Sequence, residues 1–585
     1  MSHDQVAQPG LSRALVLKVS CFASLGVFLF GYDQGVMSGV ITTPYFKAFF
    51  HQPTRPELAT MVAILEIGAF ITSLIAGRVG DVFGRRATIF AGACIFSLGG
   101  LFQAFTNGYR MMVFGRILSG FGVGFLSMCV PVYQSEISPA ENRGRLGCIE
   151  FTGNIIGYAS SVWIDYFCSY ITSDLSWRVP LLMQSVIGVV LALGTLFLPE
   201  SPRWLLDTDQ DEEGMGVLAD LHGDGDPEDE RAQEEFREIK EGVLAERAYG
   251  DRSYKAMWRR YKYRVLISMS AQFFAQFNGI NIVSYYAPLV FESAGWIGRD
   301  AVLMTGINAI IYILSTIPTW YLVDTLGRRI ILLSGAAVMA VALSLLGFFL
   351  FLDAAYTPLA VVFCVISYNA AFGASWGPVA WLFSAEILPN AFRIKGFSLA
   401  TATNWLCNYI VGEMTPILQE TIEWRLYPMH AGFCVLSFIL VFFAYPETAG
   451  VPLEEMDELF GDQPGTSLGG PTSHLGSSSS DTDERAPLRR SHSLPSFHRG
   501  QPHSHAPEVE PPAVPKRGER NHRRTLSGAS LPGRGSEGER VVRGWWSGQG
   551  GGGGGTGGSR PTTPKPGQAR GYEAVEQTDE EEARP

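Results

Sequence analysis

Asp33 stands in the stretch LFGYDQGVMSG (29–39), inside a run that is otherwise apolar or small from Val16 to Val40. A charged side chain near the centre of a bilayer costs at least ~2.5 kcal/mol, so a carboxylate in such a run is paired, reached by water or functional. The chemistry open to it there is ion pairing and proton exchange. Other chemistry-bearing residues cluster at the ends of apolar runs. The carboxylates Glu136, Asp324 and Glu386 accompany the arginines Arg85, Arg86, Arg143, Arg328, Arg329 and Arg393 in short blocks of similar form. The eight cysteines (21, 94, 129, 148, 168, 364, 407 and 434) show no CxxC or CxxxH spacing, so they read as small hydrophobes rather than disulfides or metal ligands. No cofactor is expected.

These residues must be positioned by membrane helices. The chain has 585 residues, 47% hydrophobic and only 17% charged, although its last part is strongly polar. Runs long enough to span ~30 Å of hydrocarbon lie near 16–40, 59–78, 87–106, 111–133, 146–169, 179–198, 264–291, 301–323, 330–352, 357–386, 396–417 and 428–445. Without water to satisfy backbone amides each should be a helix, giving an all-α membrane protein with twelve transmembrane helices. The first run is too long for a removable signal peptide, lacks an A-x-A-like site and is followed by many more spans. The net charge of −11 is segregated, with much of the acid between Asp207 and Asp251 and in TDEEEARP, and nothing in it argues for nucleic acid.

Arginine and lysine positions set the orientation. With a cytosolic N-terminus, the cytosolic loops receive Arg78, Arg85, Arg86, Arg143, Arg145, the 199–263 loop, Arg328, Arg329, Arg393 and Lys395, whereas the other side receives few, among them Arg55, Arg110 and Arg299. Both termini are then cytosolic. The organisation read from the chain is a cytosolic N-terminus (1–14), a six-helix half (15–198), a central loop (199–263), a second half (264–446), a short segment (447–462) and a tail (463–585). In the loop, EDERAQEEFREIKEGVLAER predicts an amphipathic helix. The tail is rich in Ser, Gly, Pro, Arg and His, with GGGGGTGG at 551–558, and is expected to be disordered.

The two halves are copies. GRVGDVFGRRATI (77–89) is echoed by WYLVDTLGRRIIL (320–332), SEISPAENRG (135–144) by AEILPNAFRIKG (385–396), and LPESPRW (198–204) by YPETAG (445–450), at offsets of 243, 250 and 247. Parallel six-helix repeats of this kind are one arrangement of secondary transporters, which bind substrate between the halves near the midplane.

Over residues 15 to 460 the chain resembles the sugar porter family of the major facilitator superfamily. The resemblance rests on GYDxGVxSG, GxxxDxxGRR, GRxxxGxG (115–122), PxYxSExxPxxxRG (131–144), PESPRW, GINxxxYY (279–286), DxxGRR, GPxxWxxxxE (377–386), NWxxN (404–408) and PET (446–448), in that order. The acidic loop and long tail look like those of fungal members, and IEFTGNIIGYASSVWIDYF resembles a poorly characterised fungal subgroup. The resemblance implies the major facilitator fold and alternating access. It makes Arg116, in the glycine-rich FGRILSGFGVG, the partner of Asp33, so that the acid alternates between salt-bridged and protonated states and couples transport to protons. It makes the helix-end charges a set of pairs that close the cytosolic side and part when the halves rock. It places Gln276, Asn281, Trp381, Trp405 and Asn408 at the substrate, carboxamides for hydroxyl groups and rings for the sugar's apolar face.

The chain departs from the family pattern at four positions. Phe151 replaces a fifth-helix glutamine, Ala275 the first of two seventh-helix glutamines, Tyr312 an eighth-helix asparagine, and Gly373 a tenth-helix position that is often acidic or polar. Glu150 and Asn154 are the nearby polar replacements. A site that has lost hydroxyl-binding groups should differ from an ordinary high-affinity glucose site. In the tail, RRSHS and RRTLS put arginines upstream of Ser493 and Ser527, a context for a kinase or trafficking adaptor. Two functions follow: a proton symporter of a sugar, polyol or related solute, and a non-transporting nutrient sensor signalling through the tail. Asp33 and Arg116 favour the first, since a receptor has no need of proton coupling. No nucleophile and base share a catalytic motif, so an enzyme is not expected. The chain has no N-x-S/T sequon, which leaves both the plasma membrane, the first expectation, and the vacuolar membrane open.

Overall fold

The computed structural model describes residues 11–137, 143–223, 225–248, 250, 253–451 and 456–460. Ser493, Ser527 and the rest of the tail lie outside the described residues, as does the side chain of Arg143. Among the described residues all regular structure is helical.

The first half is built from Leu11–Val40, Arg55–Phe83, Arg85–Ala104, Tyr109–Ile137, Arg143–Cys168 and Leu175–Thr195, the first to sixth spans. The second half repeats this. Its seventh span is Tyr254–Phe277 continued by Ile280–Tyr285 and Ala287–Ser293, and its eighth is Arg299–Thr316 with Thr319–Thr325. The ninth is Arg328–Leu352, the tenth Thr357–Gly373 with Trp376–Glu386, the eleventh Arg393–Thr421 and the twelfth Leu426–Ala444. Among the described residues, nine helical stretches are long and apolar enough to cross a membrane. The other three long spans, the fifth, seventh and eleventh, are more polar because they carry residues such as Asn154, Gln276 and Asn404. Outward-facing positions recur at helical spacing, as at Val338, Val341, Leu345, Phe348 and Phe351, all exposed. An apolar belt of that kind requires lipid rather than water around it.

Three spans predicted as continuous are broken. The seventh breaks at Asn278 and Gly279, where Gly279 has φ +99° and an added Cβ would meet the His430 Cβ at 3.2 Å. The tenth breaks at Ala374 and Ser375, and the eighth at Ile317 and Pro318. Discontinuous helices at membrane depth are tolerated where they line a cavity, and the seventh and tenth do so.

The first span packs tightly on the fifth. Added Cβ atoms at Gly31 and Gly35 would come within 2.0 Å of Asn154 O and Ser161 Oγ, and one at Gly39 within 2.5 Å of the Asp165 Cβ. This small-residue stripe fixes the first span's rotation, turning Asp33 toward the fourth span. Contact between the halves runs mainly through the second span on the eleventh and the fifth on the eighth. Beyond the sixth span, at the loop end of the bundle, the described residues of the 199–263 loop form helices Pro202–Asp207, Asp211–His222 and Glu230–Ala248. The last matches the amphipathic segment and is held by Lys240 to Asp211 at 2.6 Å and Arg247 to Asp209 at 2.9 Å.

Candidate functional site

Asp33 and Arg116 meet in the interior. Arg116 Nη1 donates to Asp33 Oδ1 at 2.8 Å, with side-chain exposures of 2% and 1%. Its Nη2 donates to the Val62 carbonyl at 2.6 Å, so the guanidinium ties the first, second and fourth spans together. Asp33 Oδ2 and Arg116 Nε have no hydrogen-bond partner among the described residues. The pair is therefore close but half-satisfied, and a buried pair in that state is weak as a structural brace.

Gln34, next to Asp33, lines a cavity of about 50 Å³ between the halves. One wall is carboxamide: Gln276, Asn281 and Asn404, with Asn154 and Gln34 opposite. The amides form a chain, since Gln276 Nε2 donates to Asn404 Oδ1 at 2.7 Å and Asn281 Nδ2 donates both to Gln276 Oε1 and, at 2.7 Å, to Asn408 Oδ1. Asn408 stands behind this wall, its Nδ2 donating to the Tyr285 hydroxyl at 3.1 Å. The other wall is aromatic, with Phe30, Phe151, Tyr158, Tyr312, Phe372, Trp376, Trp381 and Trp405. Trp405 bridges the halves by donating to Ser127 Oγ at 3.1 Å and meeting Phe30 edge-on at 6.1 Å. A cavity of this size is far below the about 300–1,000 Å³ of an open ligand site, so the halves stand contracted around it.

Three of the four departures, Phe151, Tyr312 and Gly373, enter two steric pairs with glycines of the tenth span. A Cβ on Gly373 would lie 2.7 Å from the Tyr312 ring, and one on Gly377 would lie 2.5 Å from the Phe151 ring. Each ring fills space that a side chain on the tenth span would otherwise occupy. Asn154 lines the cavity, whereas Glu150 is buried but not among its lining residues. Of the two nearby polar replacements, Asn154 alone reaches the site.

Seven of the nine helix-end charges, all but Arg143 and Arg393, are arranged differently from the expectation that they bridge the halves. Arg85 takes Glu136 in a two-pronged bond, both at 2.9 Å, together with Asp81 at 3.3 Å and the Gly80 carbonyl at 2.9 Å. Glu200 accepts from the backbone N–H of Arg85 and Arg86 at 2.9 and 3.1 Å, and Ser201 donates to Glu136 at 2.6 Å. The second half repeats this set. Arg328 pairs with Glu386 at 2.8 Å and Asp324 at 3.1 Å, Glu447 accepts from the N–H of Arg328 and Arg329 at 2.8 and 3.0 Å, and Thr448 donates to Glu386 at 2.9 Å. Both clusters lie within a half because each arginine is already saturated by its own neighbours. They staple helix ends into rigid bodies.

At the loop end the halves meet beside the clusters instead. An added Cβ on Gly144, in the first turn of the fifth span, would lie 3.1 Å from Asp324 Oδ1, and the Arg145 guanidinium sits 5.0 Å over the Tyr321 ring. A Cβ on Gly77 would lie 2.6 Å from Ile394, one residue into the eleventh span from Arg393. At the opposite end Thr60 donates to Glu413 at 2.7 Å and Arg299 to the Ser169 carbonyl at 3.2 Å. Replacing Glu136 by Gln keeps its shape but removes the charge from Arg85. Transport turnover per surface molecule, measured as uptake rate normalised to biotinylated protein, is expected to fall about tenfold, or ~1.4 kcal/mol, less than a charged hydrogen bond contributes. Unchanged turnover would mean that the cluster only anchors the helix ends.

Two buried carboxylates were passed over in the sequence. Glu66 and Asp165 are 1% and 3% exposed on the second and fifth spans. The signal was available for Glu66, the lone acid of the apolar run 59–78, like Asp33 in its own run, whereas Asp165 shares the run 146–169 with Glu150. Tyr285, within GINxxxYY, joins Glu66 to the amide chain by donating to its Oε1 at 2.8 Å.

This geometry, two duplicated six-helix halves closed on a polar and aromatic cavity beside a buried ion pair, defines a membrane transporter of the major facilitator type. Residues 19–460 match the family described as "Sugar (and other) transporter", and the chain belongs to that family, as a multi-pass membrane protein and not an enzyme. It is 35% identical to the MFS-type transporter criB of Aspergillus cristatus over 77% of this chain and 95% of that one. It is 31% identical to a high-affinity glucose transporter of Kluyveromyces lactis over 76% and 84%. Among solved structures, the proton:xylose symporter XylE bound to 6-bromo-6-deoxy-D-glucose is similar at 28% identity and a TM-score of 0.67, covering 76% of this chain and 99% of that one.

Proposed function

We propose that the protein carries a sugar or related polyhydroxy solute across a membrane by alternating access, coupled to protons. The observation that carries this reading is the half-satisfied Asp33–Arg116 pair, at 2.8 Å, one residue from Gln34 in the cavity wall. Carboxamides both donate and accept, as neutral hydroxyl groups require, and the facing rings suit the apolar face of a sugar ring. Gln276, Asn281, Trp381 and Trp405 would contact the solute, while Asn408 would hold Asn281. The paired rings at Phe151 and Tyr312 favour a flatter or less hydroxylated solute than glucose. In this reading both termini and the loop end are cytosolic and the stapled halves rock as units, with Arg143 and Arg393 at the cytosolic mouths of the fifth and eleventh spans. The expected membrane is that of the cell surface, with the vacuole as the alternative.

The test is uptake of a labelled sugar and polyol panel in a transporter-null yeast strain, with and without an uncoupler. Uncoupler-sensitive accumulation of at least one member is expected. Uptake of none, with the chain at the cell surface, would favour the non-transporting sensor, and a tail phosphorylated at Ser493 or Ser527 would then be its output.

A further inference from the structure

Glu66 lies one helical turn beyond Val62, whose carbonyl binds Arg116, and it is 1% exposed. Its Oε1 accepts from Tyr285, and its Oε2 has no hydrogen-bond partner among the described residues. Asp33 and Arg116 both lie within its electrostatic reach. The other titratable groups facing it are Tyr285 and Tyr286 on the seventh span and Tyr409 on the eleventh, with Glu413 next to Tyr286 and Tyr409. Arg116 is thus the cation that two buried carboxylates share. Were both ionised, one negative charge would stand uncompensated in an apolar interior, at a cost of several kcal/mol. A proton shared by the pair removes that charge.

We propose that Glu66 is a second proton-binding site, and that Tyr285 and Asn408 relay its protonation to the amides of the cavity wall. This rests on the proton-coupled reading above. An ionised Glu66 can only accept, so the Tyr285 O–H points at it and the phenol oxygen accepts from Asn408 Nδ2 at 3.1 Å. A proton arriving from water on Oε1 makes Glu66 a donor to Tyr285. The phenol proton then turns to its other neighbour, and Asn408 must present Oδ1 in place of Nδ2. That turn withdraws the acceptor that Asn281 Nδ2 uses at 2.7 Å, leaving an Asn281 donor for a solute hydroxyl. No covalent bond changes, and the proton leaves to water on the other side. Because Glu66 is in the first half and Tyr285 in the second, the same event alters a contact that joins the halves.

The test is infrared difference spectroscopy of the purified full chain in liposomes during pH titration, on wild type, Glu66→Gln and Tyr285→Phe. The Gln variant keeps the shape and the acceptor for Tyr285. It is expected to lose the C=O band of one protonated carboxyl. In Tyr285→Phe that band should persist at a shifted position, while the pH-dependent side-chain amide bands disappear. A Glu66→Gln spectrum identical to wild type overturns the second site, and unchanged amide bands in Tyr285→Phe overturn the relay. The reading beneath fails separately: panel uptake that ignores an uncoupler removes proton coupling and leaves the infrared result to stand by itself.

Discussion

Replacing Asp33 by Asn is expected to reduce accumulation of the transported solute to its equilibrium ratio while exchange of labelled for unlabelled solute continues. One proton moving down a potential of 100 mV supplies about 2.3 kcal/mol, which at ~1.4 kcal/mol per tenfold sustains a gradient of roughly 40-fold. Asparagine keeps the size of Asp33 and can still accept from Arg116, so the 2.8 Å contact that joins the first and fourth spans is retained in shape. What it cannot do is alternate between charge and neutrality. The measurement is the steady-state ratio of labelled solute inside and outside de-energised and energised cells, beside counterflow in the same cells. Accumulation retained in Asp33→Asn would remove this residue from the coupling step.

The second large effect is expected at Gly373. Substituting Ala sets a Cβ 2.7 Å from the Tyr312 ring and 2.4 Å from Ser315 Oγ. The Ser315 hydroxyl can rotate, but the ring is held between Tyr158 and Phe372 at 6.4 and 6.5 Å. Overpacking of this kind costs about 1–3 kcal/mol, and if it is taken from solute binding the affinity falls by roughly 5- to 140-fold. Tyr312→Asn in the same chain should recover most of the loss, because the smaller side chain vacates the contested space. The cycle of single and double variants, read as the solute concentration for half-maximal uptake, isolates that coupling. Additive losses would mean that the two positions were altered independently of each other.

The span positions and the duplication were legible in the sequence because apolar length and repeated charged blocks are local signals. Asn281 and Asn408 were legible because GINxxxYY and NWxxN carry them within short windows, but Asn404, the first residue of NWxxN, was not singled out although it lines the cavity. The breaks at Gly279 and Ser375 were not, because a run such as 357–386 is apolar on average along its whole length and hydropathy does not register a change of backbone angle. Glu66 was missed for a different reason. The stretch MVAILEIGAFITSLIAG (61–77) holds it as the lone acid, so the cost argument applied to Asp33 selects it equally, but no motif drew attention there. The pairing of Phe151 with Gly377 and of Tyr312 with Gly373 depends on residues far apart in the chain. The partners of Arg85 and Arg328 were ambiguous among several carboxylates at one end of the bundle, and only their packing chose those of the same half.

The contacts beside the two clusters have the form of an isologous interface. The fifth span's first turn docks at Asp324 of the second half, and at the matching place the eleventh span brings Ile394 to Gly77 and Lys395 into the field of Asp81 of the first. In a homodimer a substitution at such a contact is made twice and both docking points weaken together. Here the two copies share one chain, and Gly144 faces one point where Ile394 faces the other. The two points can therefore yield in sequence rather than at once, giving the opening of this end a first step and a second.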